Sequence, residues 1–167
     1  MPISPGGTSY DNDELDALFK AVGFVVVQWG QAEQSLDIIT AILYQQLGGK
    51  QFAKRVPKML TTKLEFLSKC LSQTSALAPF QAEGDSLVEN FRKLGDSRHD
   101  LIHGAIASVS PQNGAFMFAK LDIENDVHVM REFRFDSEDF PALTNDLIDL
   151  GAKATALARR LWEVVPK

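Results

Sequence analysis

Apolar residues recur along most of the chain at alternating spacings of three and four. Leu15, Leu18, Val22, Val25, Trp29, Ala32, Leu36, Ile39 and Leu43 form one such row, the seam of an amphipathic helix that buries one face against its neighbours. Gly48-Gly49 suits its end. At 1.5 Å per residue this helix is about 50 Å long, more than a compact domain of this size needs. Either Gly23 or Gly30 bends it or one end serves a partner, and the partner is favoured. After Val56-Pro57, Leu60, Leu64, Leu67 and Leu71 predict a second helix, and residues 82–103 a third, closed by Gly104. Phe140, Leu143, Leu147, Leu150, Ala154, Leu157 and Leu161 predict a fourth, whose start near Ser137 to Pro141 has the acidic residues and first-turn proline of a helix N-terminus.

Between the third and fourth helices the period falls to two. Runs at 105–109, 115–123 and 127–135 are separated by Pro111-Gln112-Asn113-Gly114 and Glu124-Asn125-Asp126, which predicts an antiparallel meander. In the last run Val127, Val129, Phe133 and Phe135 supply an apolar face to lay on the bundle, and Arg131 breaks the pattern. The expected fold is mainly α: a four-helix bundle with a small antiparallel β-meander inserted between helices three and four at about 105–135. Residues 1–10, rich in proline and glycine, read as a flexible leader, and 11–167 as one domain.

Composition narrows the classes. The single cysteine, Cys70, can form no intramolecular disulfide, and its neighbours Phe66, Leu67 and Leu71 mark it as core. No run is apolar and long enough for a membrane, and no signal peptide is recognisable, so a cytoplasmic protein with no membrane partner is expected. Trp29 and Trp162 adjoin apolar seams and read as packing residues. A formal charge of −5 argues against a protein that coats nucleic acid through general basicity. A local excess remains between Lys50 and Lys69, where Lys54, Arg55, Lys58 and Lys63 face Glu65 as the one acid. Lys54, Arg55 and Lys58 are candidate phosphate contacts, although a solvated helix face explains the same run.

The densest chemistry lies in Ser97-Arg98-His99-Asp100-Leu101-Ile102-His103-Gly104. At about 100° per residue, Asp96, His99, Asp100 and His103 form a polar stripe opposite Leu87, Phe91, Leu94, Leu101 and Ile102. Arg98 falls inside the apolar sector, and on the first helix Glu33 does the same. A buried cation and a buried anion call for one another, so Glu33 is expected to contact Arg98, within the chain or across a dimer. A buried pair that fixes helix register accounts for both residues. An arginine held by Glu33 and turning its remaining donors to a phosphate accounts for them equally. His103 can cap a helix end together with Gly104, or serve as a general base. His99, His103, Asp96 and Asp100 could also line a metal site, a lesser reading because one short segment supplies nearly every ligand.

Arg98, four intervening residues and His103 resemble the R-x(4 to 6)-H signature of the HEPN superfamily, with His99 and Gly104 matching the residues often found after the arginine and the histidine. The Trp29-Gly30-x-x-Glu33 segment is similar to first-helix sequences of some relatives. The resemblance implies a homodimer acting as a metal-independent endoribonuclease without cofactor, in defence or stress response. Arg98 and His103 would be its active pair, His99 and Asp100 in support, and a 2′,3′-cyclic phosphate one of its products. It also implies RNA as substrate and an antitoxin or other protein as a possible partner. Where relatives regulated by an antitoxin carry a tyrosine two residues after the histidine, this chain has Ala105. The alternative is a non-catalytic module of the same fold that binds nucleotide or protein.

Overall fold

The structure, a computed structural model, describes residues 12–110 and 114–166. The segment read as a leader and most of the first expected turn, 111–113, lie outside the described residues. Four helices form the body: α1 (Asn12–Gln46), α2 (Leu60–Gln73), α3 (Gln81–His103) and α4 (Asp139–Glu163), with short 3-10 turns at Gly49–Gln51 and Ser75–Phe80. Strands β1 (Ala105–Ser110), β2 (Ala115–Glu124) and β3 (Val127–Asp136) lie in chain order between α3 and α4.

The apolar rows account for the packing. Leu18, Val25, Trp29, Ala32, Leu36, Ile39 and Leu43 of α1 are buried against Leu143, Leu147, Leu150, Ala154, Leu157 and Leu161 of α4 and against α2 and α3. Where α1 and α4 approach, Gly151 faces Ala32, and Ser35 Oγ lies 2.9 Å from Thr155 Oγ1, so the small residues at the seam are hydrogen-bonded as well as packed. The helix α1 is one 35-residue element, and Gly23 and Gly30 sit on its exposed side with open space around them. It ends where Gly48 takes φ +80°, a conformation that costs glycine little. Burial pushes the Cys70 thiol up from its ordinary pKa of 9.0 to about 12, as its place in the core requires.

The strands pair antiparallel in the order β1-β2-β3, with a bulge between Ile106 and Ser108. Between β2 and β3, Asn125 and Asp126 both have positive φ (49° and 63°), the geometry a two-residue hairpin turn demands. Phe116, Phe118, Phe133 and Phe135 share one face of the β2–β3 pair. Phe118 and Phe133 stack at 5.4 Å, and Phe135 stacks on Phe140 of α4 at 5.9 Å. These rings anchor the sheet to the bundle. The face expected to lie on the helices does so only over this half: Val127, on that face, is 61 % exposed, while Leu121, Ile123 and Met130 stand exposed on the opposite face. Strands of 10 residues extend about 33 Å and outrun the phenylalanine anchor. A second expectation also fails, because Trp162 stands 62 % exposed on α4, whereas Trp29 is buried.

Candidate active site

In the last turns of α3, Arg98 lies on the helix side that carries Leu87, Leu94 and Leu101, as the angular arithmetic requires. Its guanidinium carbon sits 5.9 Å from the centroid of the Trp29 ring, and its Nε is buried with no hydrogen-bond partner. Trp29 is itself held edge-on to Phe91, with ring centroids 5.7 Å apart. Gly95 leaves it room, since a Cβ there would lie 3.2 Å from the indole Cη2.

The expected contact between Glu33 and Arg98 does not form within the chain. Glu33 Oε2 instead accepts a hydrogen bond from Trp29 Nε1 at 3.1 Å, and Glu33 Oε1 lies 3.9 Å from Lys63 Nζ. Lys63 also pairs with Asp37. Its side chain, on α2, is only 7 % exposed, and carboxylates offset the cost of taking a compact ammonium out of water. A planar guanidinium can lie on an aromatic face instead. Lys63 therefore holds the anion that sequence reasoning assigned to Arg98.

His99 and His103 project from a different side of α3, exposed, their rings 4.5 Å apart and tilted by 48°. Among the described residues neither imidazole makes a hydrogen bond. Arg98 and His103 are about 140° apart around the helix, so one chain does not direct both at a single point. Gly104 ends the helix with its N–H donating to the Asp100 carbonyl at 2.9 Å, in extended backbone rather than the left-handed conformation of a glycine cap. It must be small for another reason: a Cβ would come within 2.6 Å of the Phe133 ring.

Asp100 faces the sheet. Lys120 Nζ donates to it at 3.2 Å and lies 3.2 Å from Asp122, spanning α3 and β2. Burial pulls the Lys120 pKa down, but hydrogen bonds and charge from Asp100 and Asp122 outweigh it, and the net shift is upward. With Asp96, His99, Asp122, Arg131 and Glu132 this pair lines a polar cleft of about 440 Å³. Arg131, out of pattern in the sequence, is matched with Asp122 and Glu124 of the adjacent strand.

Lys54, Arg55 and Lys58 are exposed in the connection before α2. Arg55 lines a shallow groove with Pro57, Phe66 and Lys69, and the Lys54 carbonyl accepts a hydrogen bond from the Tyr44 hydroxyl at 3.3 Å. Lys63, counted with them as solvent-facing charge, belongs to the interior. The signal was present: at 100° per residue Lys63 falls in the middle of the sector of Leu64, Phe66, Leu67, Cys70 and Leu71. Lys120 was legible in the same way, two residues beyond Phe118 on the anchored face of β2.

Among the described residues no group of three or more His, Cys, Asp and Glu side chains is arranged to hold a metal ion, and no helix is long and apolar enough to cross a membrane. No family model, no curated protein and no solved structure matches the chain.

Proposed function

We propose that this protein is a metal-independent endoribonuclease of the HEPN type, acting as a homodimer in which Arg98 of one protomer and His103 of the other complete a site. The observation that supports this reading is Arg98: a half-buried guanidinium with an unpartnered Nε and no carboxylate partner among the described residues. Leaving such a donor without an acceptor costs about 1–3 kcal/mol, and with no carboxylate fork closing the guanidinium its terminal nitrogens are left for a phosphate. On another side of the same helix end stand two exposed imidazoles, side chains suited to proton transfer at neutral pH. His103 would take the proton of a ribose 2′-hydroxyl as that oxygen attacks phosphorus. The bond to the 5′-oxygen breaks, that oxygen takes a proton from water and leaves as a 5′-hydroxyl, His103 returns its proton to solvent, and a 2′,3′-cyclic phosphate remains. Arg98 stabilises the charge on the phosphate, and His99, its ring 4.5 Å from that of His103 and tilted by 48°, would help to orient it. The angular separation of Arg98 and His103 is the reason to take them from two chains.

The test is cleavage of a single-stranded RNA in the presence of a chelator. The wild type is expected to leave 2′,3′-cyclic phosphate ends, and Arg98→Ala and His103→Ala to be inactive alone. Mixed and re-equilibrated, the two variants should recover about a quarter of wild-type activity, because half of the dimers are mixed and each holds one intact site. Cutting by His103→Ala at the wild-type rate would sink the assignment.

A second reading, a non-catalytic module of the same fold that binds nucleotide or protein, draws on the placement of Arg98 over Trp29 and away from His103. RNA binding without cleavage by the wild type, abolished by Arg98→Ala and untouched by His103→Ala, would select it.

A further inference from the structure

The core-facing side of α1 carries a carboxylate, the facing side of α3 carries an arginine, and the two do not pair. Each oxygen of Glu33 is already engaged, Oε2 by the indole N–H of Trp29 and Oε1 by the ammonium of Lys63. Lys63 is in turn shared with Asp37, the next carboxylate along α1. The seam between α1, α2 and α3 thus reads in order Asp37, Lys63, Glu33, Trp29, Arg98, with a hydrogen bond or ion pair at every step but the last, where the guanidinium lies over a ring.

From this geometry we infer that Lys63 is a positioning residue: by occupying Glu33 it reserves Arg98 for an anionic ligand, the RNA phosphate of the reading above, on which this inference rests. An arginine closed by a carboxylate fork has its charge neutralised and its donors directed inward. An arginine over an indole keeps its charge and its terminal donors. Glu33 contributes to the second arrangement by holding the indole on which Arg98 rests.

The chain of contacts makes an unusual prediction about pairs of variants. Lys63→Met removes the cation and leaves Glu33, whose side chain is 37 % exposed, with the indole N–H and water as donors, so Arg98 should swing onto it as a charged partner. Affinity for a 2′-O-methylated RNA oligonucleotide, which cannot be cut, should fall about tenfold or more, the scale of a charge-assisted hydrogen bond to phosphate. Glu33→Gln keeps an acceptor for the indole and leaves Lys63 with Asp37, and should bind within about twofold of wild type. The double variant Glu33→Gln/Lys63→Met should regain the affinity that Lys63→Met loses, which a merely structural role for Lys63 would not allow. Lys63→Gln, which retains a donor but no charge, substitutes for Lys63→Met should that variant not fold.

A second readout needs no RNA. The Arg98 Nε–H resonance should shift downfield in Lys63→Met as it gains a carboxylate acceptor, and should return in the double variant. An unmoved resonance, or a double variant that binds as weakly as Lys63→Met, overturns the inference. Absence of RNA binding by the wild type together with the expected resonance shift would overturn the RNA reading of Arg98 and leave the positioning by Lys63 standing.

Discussion

The first four turns of α3 and its last two follow the same rhythm and bury different chemistry. From Gln81 to Leu94 the inward positions are Gly84, Leu87, Val88, Phe91 and Leu94, all buried, and Gly84 is small because a Cβ there would run into Leu71 of α2. From Gly95 to His103 the inward positions include Arg98 and Leu101; Gly95 lies against Trp29 and Leu60, and Arg98 lies over that indole, which is itself hydrogen-bonded to a carboxylate. The dry end derives its stability from area removed from water and close packing. The polar end is held by a chain of specific contacts and keeps one donor unsatisfied. A helix can therefore be a packing element at one end and a site at the other without any break in its backbone.

The largest test of that contrast is at the dry end. Phe91→Ala, at a fully buried position, should cost about 3–5 kcal/mol, read as a lowered denaturant midpoint. Because Phe91 also abuts Trp29, RNA binding should suffer with it. A cost below about 1 kcal/mol would mean that the core is not packed as described.

Cys70, on α2 within the same dry region, reports its burial through pH. Its folded pKa is raised, so the neutral thiol is the form the fold favours. The stability this contributes is complete below the unfolded value near 9 and is lost as pH rises towards 12. Across that window unfolding free energy should fall by about 1.4 kcal/mol per pH unit from this group, a slope that Cys70→Ala should lack under reducing conditions. An equal slope in both proteins would show that the thiol is hydrated.

The smallest effect has the most informative sign. Arg98→Met replaces a half-buried guanidinium, with its unpartnered Nε, by an apolar side chain of similar length. It should leave stability unchanged or raise it by about 1 kcal/mol while abolishing RNA binding. A loss of several kcal/mol would instead make Arg98 a structural residue, and the distinction between the two ends of α3 would disappear.

Much of this arrangement was legible before any coordinates. The rows from Leu15 to Leu43 and from Phe140 to Leu161 specified their helices because an apolar stripe at this spacing has one way to leave water. Runs of period two between turn residues marked the strands for the same reason. Arg98 and Glu33 were recognisable as charges on apolar faces. What pattern could not supply was the pairing, since every charge on an inward face is eligible for every other until the helices have a register. Lys63 decided that question, from a helix whose positive residues had been counted as surface. The failure of Val127 to reach the bundle has a similar origin: alternation states which side chains share a face, and not how far the surface beneath it extends.

The sequence by itself determined the elements and the charges set into them, because periodicity and burial are local consequences of side-chain chemistry. Only the tertiary structure decided that Lys63 holds Glu33 while Arg98 rests on Trp29. The partner of a buried charge is chosen by distance and competition among three helices, and neither quantity exists until they are packed together.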